Sequence, residues 1–217
     1  MKRTAIAILV AILSTPAFAI GPLPRDADHL APSEEVVAGY EAAVSHVLSR
    51  AFAPDVDVIA FVEPAFAPEF AVGMRLKDGT YRVFVLSADE QVWPHLLKGE
   101  AIDRIGANYC ETPVPAGLAV RIDRVWDAMM RRVGPGAANS VGIDSAHYNF
   151  TKIVDGELVV GSAWDQQDST RVGKLQGIAQ EMNLLCKTPG RDSLDRLAMR
   201  VDALAAQLNL APSENPQ

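Results

Sequence analysis

Two Asp-Gly pairs constrain this chain more than any other feature. Asp78-Gly79 and Asp155-Gly156 each fall between runs with the character of β-strands. Before the first pair, Phe70, Val72, Met74 and Leu76 alternate with Glu69, Ala71, Gly73 and Arg75. Tyr81 to Leu86 continue after the Lys77-Asp78-Gly79-Thr80 turn. The second pair separates residues 146–154 from 157–164. A two-residue type I′ turn needs positive φ at both central positions, which Asp tolerates and Gly favours, and its twist matches that of the flanking strands. Two antiparallel hairpins are therefore expected. Val56 to Val62, a short β-branched and apolar run, predicts a further strand buried on both faces.

Helical periodicity surrounds these strands. Ser33 reads as an N-cap with Glu34 and Glu35 set favourably against the helix dipole. Val36, Val37, Tyr40, Val44, Val47 and Leu48 then share one stripe, predicting a helix over 33–50 that Pro54 stops. His46 falls on the opposite, solvated face. Residues 89–99 predict a short helical or irregular stretch interrupted at Pro94. A helix over 116–133 follows, with Val125, Met129 and Val133 on one face, ended by Gly134-Pro135-Gly136. Leu175, Ile178, Met182 and Leu185 mark another helix. Leu194, Leu197, Val201, Leu204 and Leu208 mark the last one, with Ser193 near its cap. Two short heptad runs joined by Thr188-Pro189-Gly190 predict an antiparallel helical hairpin packed on the sheet rather than a coiled-coil dimer, so a monomer is expected. Trp93 and Trp126 are expected as core anchors. The fold class is α+β: two antiparallel hairpins forming a sheet, packed by an N-terminal helix, a central helix and a C-terminal helical hairpin. Residues 20–210 are read as a single domain and 211–217 as a polar tail. An apolar share of 49% supports a packed core of that size.

The N-terminus reads as an address. Lys2 and Arg3 form a positive start, Ala5 to Leu13 an apolar run too short to span a bilayer, and Ala17-Phe18-Ala19 an A-x-A cleavage site. Residues 1–19 are expected to be a cleaved signal peptide, leaving Ile20 first, followed by a proline-rich lead. No cysteine stands at that position to carry a lipid, and no later run is long and apolar enough to hold a membrane. The expected destination is the periplasm or the exterior. There, Cys110 and Cys186 are expected to form a disulfide, worth roughly 4 kcal/mol in the chain-entropy model. The 27 acidic against 20 basic residues argue against non-specific nucleic-acid binding, although a local basic patch stays compatible with them.

Sequence signatures of chemistry are sparse. The chain has no H-E-x-x-H, G-x-S-x-G, S-x-x-K or P-loop pattern. His29, His46, His95 and His147 are dispersed, so neither a metal nor a cofactor is expected. One constellation stands out. If Asp155-Gly156 closes a two-residue loop, facing residue numbers sum to about 311, which sets His147 opposite Trp164 and Asn149 opposite Ser162. Those four side chains then share a face, with Asp144, Ser145 and Asp165 near the open end. Asp144, His147, Asn149, Ser162, Trp164 and Asp165 thus form a candidate recognition patch. A catalytic use would take Ser162 or a water as nucleophile, His147 as base, and Asp144 or Asp165 to orient it. The preferred expectation is an exported, non-catalytic domain that binds a small molecule or another exported protein. An inhibitor or immunity-type protein fits that description. The alternative is a cell-envelope hydrolase with its site near His147.

Overall fold

The two Asp-Gly turns close as two-residue loops. In the computed structural model, which describes residues 30–32, 39–49, 56–134 and 145–211, Asp78 and Gly79 have φ of 50° and 73°. Asp155 and Gly156 have 53° and 85°. Positive φ at both positions of each pair is the type I′ signature. The first turn joins β3 (Phe70–Lys77) to β4 (Thr80–Ala88), and the second joins β6 (His147–Val154) to β7 (Glu157–Trp164).

The strand over 56–62 is present as β2 (Val56–Glu63), and it is the element that unites the hairpins. It pairs with β3 on one side and β6 on the other. With β5 (Ala107–Pro113) beside β4 and a two-residue β1 (Ala31–Pro32) beside β7, the sheet runs β1-β7-β6-β2-β3-β4-β5, every pairing antiparallel. β5, Ala-Asn-Tyr-Cys-Glu-Thr-Pro, has no apolar alternation to mark it as a strand in the sequence. It is an edge strand that meets the core through Cys110. At the other edge, Gly161 lets Leu30 and Val133 close on β7. A Cβ there would lie 2.6 Å from Val133 Cγ2 and 2.9 Å from Leu30 Cβ.

Helices cover both faces, which is why β2 is apolar in both directions. Toward one face point Val58, Ala60 and Val62, packed with Val72, Met74, Val83, Val85 and Phe150. They meet α3 (Ala116–Met130), α4 (Arg171–Lys187) and α5 (Arg191–Gln207). Trp126 is fully buried in this layer, its ring edge-on to Phe150 at 5.5 Å. Toward the other face point Ile59 and Phe61, packed with Ala43, Val44 and Leu48 of α1 (Tyr40–Val47) and its cap, and with Val92 of α2 (Val92–Lys98). The helices α4 and α5 form the expected antiparallel pair, and α4 is buried on nearly every side between the sheet and α5. Thr170 caps α4 by accepting the Gly173 N–H at 2.9 Å.

Several expectations change in detail. The first helix is described only from Tyr40, since Ser33 and residues 34–38 lie outside the described residues, as do 1–29, Pro135, Gly136, Asp144 and 212–217. His46 is exposed as expected, 2.8 Å from Asp103. Trp93 is not a core anchor. It is half-buried, because α2 is one short helix at the sheet's rim, and it packs edge-on to Tyr40 at 5.4 Å. Pro94 does not interrupt α2, because it sits in the first turn, where a missing N–H costs no helical hydrogen bond. Ser193 lies near the start of α5 as expected, three residues past the N-cap Gly190, and its Oγ donates to the Thr188 carbonyl at 2.8 Å. The apolar stripe of α5 is consumed by contacts within the chain. Cys110 on β5 and Cys186 on α4 are joined as a disulfide, with their Cα atoms 6.0 Å apart. Among the described residues no helix is long and apolar enough to cross a membrane.

Candidate functional site

The β6–β7 register carries the site. His147 faces Trp164 and Asn149 faces Ser162 across the strands, the register of a two-residue loop. Strand side chains alternate between faces, so these four project toward α1, while Tyr148 and Phe150 project into the α3–α5 layer. The His147 and Trp164 rings lie 4.8 Å apart between centroids, tilted by 41°. This part of the patch assembles as a group.

The member that sequence reasoning missed is Glu63. It ends β2 and stands directly opposite His147 on the far side of β6. Its Oε2 is 3.1 Å from His147 Nδ1, and both side chains are buried, 9% and 6% exposed. A carboxylate at the end of an apolar strand is a weak clue by itself. Only the β2–β6 pairing, across a long stretch of chain, reveals its partner.

A second buried carboxylate lies nearby. Glu69, just before β3, is fully buried. It accepts the Tyr40 hydroxyl at 2.6 Å and the Val92 backbone N–H at 2.9 Å. It thereby ties α1 and the start of α2 to the sheet. The Tyr40 hydroxyl is pushed far above its ordinary value, by burial first, then by the Glu69 hydrogen bond and the charges of Glu69 and Glu63. It therefore stays protonated and stays a donor. A small cleft of about 140 Å³ opens between α1 and the sheet, and Glu63 and Asn149 are the members of the cluster that reach it.

Asp165 is not brought into this group. One residue beyond Trp164, it follows the alternation to the opposite face and lines a cleft with Tyr148, Gln176 and Gln180 of the α4 side. Its carboxyl is held above its ordinary value, chiefly by desolvation, with the Asp168 charge adding and a backbone hydrogen bond from Gln166 opposing. Its backbone N–H donates to the Ala146 carbonyl at 2.8 Å, which keeps the open end of the hairpin paired. Asp144 lies outside the described residues. Among the described residues the carboxylate beside His147 is therefore Glu63 and not Asp165.

Chemically, the cluster is a carboxylate–imidazole pair capped by an indole, with an amide and a hydroxyl along the same strands. Ser162 is 2% exposed and His147 5%, so neither meets solvent freely. Among the described residues, no group of three or more His, Cys, Asp or Glu side chains is placed to hold a metal ion. No protein-family model matches the chain, and no curated protein matches it significantly.

Proposed function

We propose that the protein is an exported, non-catalytic binding domain that recognises a small molecule or another exported protein. The observation that carries this is the burial of the Glu63–His147–Ser162 cluster, which holds the base and the nucleophile that the sequence offered for catalysis. A nucleophile must reach a substrate carbonyl, and the 2% exposure of Ser162 beneath its neighbours leaves no room for that approach. The cluster instead resembles a polar core that fixes how β2, β6 and β7 meet. Export is supported by the signal-like N-terminus and by the Cys110–Cys186 bond, a linkage that persists in oxidising compartments. The full chain's net charge of −7, which becomes −9 once Lys2 and Arg3 leave with residues 1–19, favours a basic partner surface and faster encounter at low salt. Inhibition of a toxic hydrolase is one role of this type.

A hydrolase keeps one specific observation in its favour, the Glu63–His147 contact at 3.1 Å, which is how a general base is oriented. Assaying the wild type and His147→Ala against cell-wall, ester and peptide substrates separates the two. No turnover by either protein is expected. A pH-dependent turnover abolished in His147→Ala would overturn the binding proposal. Native mass spectrometry of the protein from an exporting host checks the rest, the expected species starting at Ile20 and carrying no free thiol.

A further inference from the structure

A cleft of about 360 Å³ lies between α3 and the end of α5, on the opposite side of the sheet from the His147 cluster. Val125, Ala205 and Leu210 line it with apolar surface, and Arg121, Arg124 and Asp202 supply its polar groups. Arg121 and Arg124 are three residues apart on α3, a spacing that puts both guanidiniums on one face. Arg121 Nε approaches Asp202 Oδ1 at 3.1 Å, yet this nitrogen is shut from solvent and makes no well-directed hydrogen bond. Arg124 has no ion-pair partner among the described residues. Two cations against one carboxylate give the cleft a positive balance in a chain whose total is −7. The volume lies at the lower end of the roughly 300–1,000 Å³ of small-molecule sites.

We propose that this cleft binds a small organic carboxylate with a short apolar or aromatic body. Arg124 takes the carboxylate, since a guanidinium matches two oxygens in one plane, and Arg121 adds a second donor. The body of the ligand rests on Val125, Ala205 and Leu210. The inference deepens the binding-domain proposal and rests on it, by naming a ligand class and a place.

The test uses calorimetry on the full chain with two probes, phenylacetate and its neutral isostere phenylacetamide. Phenylacetate is expected to bind saturably and the amide at least about tenfold more weakly, the scale of a lost charged hydrogen bond. Arg124→Gln should weaken phenylacetate by about the same factor while leaving the melting temperature unchanged. Ala205→Leu, which fills the cleft from α5, should weaken it without touching a charge. Equal binding of the two probes, unchanged affinity in both variants, or no saturable binding at millimolar phenylacetate each overturn the proposal. Binding that appears only in a chain ending at Ala211 also overturns it, making the six residues that follow the occupant. Turnover dependent on His147 would defeat the binding-domain proposal while leaving these affinities as measured, so the two failures are distinguishable.

Discussion

On the side of α3, α4 and α5 the sheet presents Val58, Ala60, Val62, Val72, Met74, Val83, Val85 and Phe150 in one continuous apolar layer. On the side of α1 and α2 a smaller apolar cluster around Ile59, Phe61, Phe84 and Leu86 shares the surface with buried Glu69, His147, Asn149 and Ser162. The first face is held by area removed from water and by close packing, which are non-directional. The second is held by a few directed contacts, Glu63 to His147 and Glu69 to Tyr40 and to Val92. Packing is lost in proportion to volume removed. A buried acceptor is lost together with every donor that it leaves behind. The two faces of one sheet should therefore fail differently.

The largest effect is expected on the apolar face. Trp126→Ala leaves a cavity against Phe150 and should destabilise the protein by about 4 kcal/mol, read from urea unfolding. A loss below about 1 kcal/mol would mean that this layer is loosely packed and the contrast is misdrawn. The same layer contains the disulfide, which pins edge strand β5 to α4 across 76 positions of sequence. Replacing both cysteines with serine should cost roughly 2–4 kcal/mol, with the slope of the unfolding curve rising if the freed denatured chain expands.

The polar face offers the sharper comparison. Glu69→Ala strips the acceptor from Tyr40 and Val92 together and should cost about 3 kcal/mol, although few apolar contacts are lost. Tyr40→Phe removes only one of these donors and should cost about 1 kcal/mol. A double-mutant cycle between them should show coupling. Strict additivity would show that the 2.6 Å contact contributes nothing specific.

The smallest effect concerns the open end of the same face, where Glu111 gathers Arg75 and Lys77. Burial would raise the Glu111 carboxyl, but hydrogen bonds from Arg75, Tyr109 and Lys77 and the Arg75 charge hold it below its ordinary value. A depressed carboxyl contributes stability that is present above its unfolded value and lost as pH falls through its folded one. Wild type and Glu111→Gln should therefore differ near neutrality and converge in acid. A gap that persists at the lowest pH would show that shape, and not charge, is what Glu111 supplies.

How much of this was legible beforehand differs by element. The β6–β7 register was readable because Asp155-Gly156 leaves a two-residue loop one way to close, which placed His147 against Trp164. Helices α3, α4 and α5 were readable because stripes such as Leu197, Val201 and Leu204 follow the helical period. β5 was not, since an edge strand need not alternate, and Trp93 was misplaced because an indole gives no sign of how far a helix sits from the core. Asp165 was grouped with Trp164 by nearness in sequence, although the alternation of one strand sends neighbours to opposite faces.

By itself, then, the sequence determined much of what depends on neighbours along the chain: turns, helical stripes, hairpin register, and a pair of cysteines free to join. The tertiary structure alone decided what depends on distant segments meeting. It inserted β2 between the hairpins, brought Glu63 to His147 and Tyr40 to Glu69, and set two arginines of α3 against the end of α5. The physical reason is that local geometry is dictated by backbone sterics and side-chain period. Long-range pairing is chosen by the burial of a whole sheet, to which no single segment holds the key.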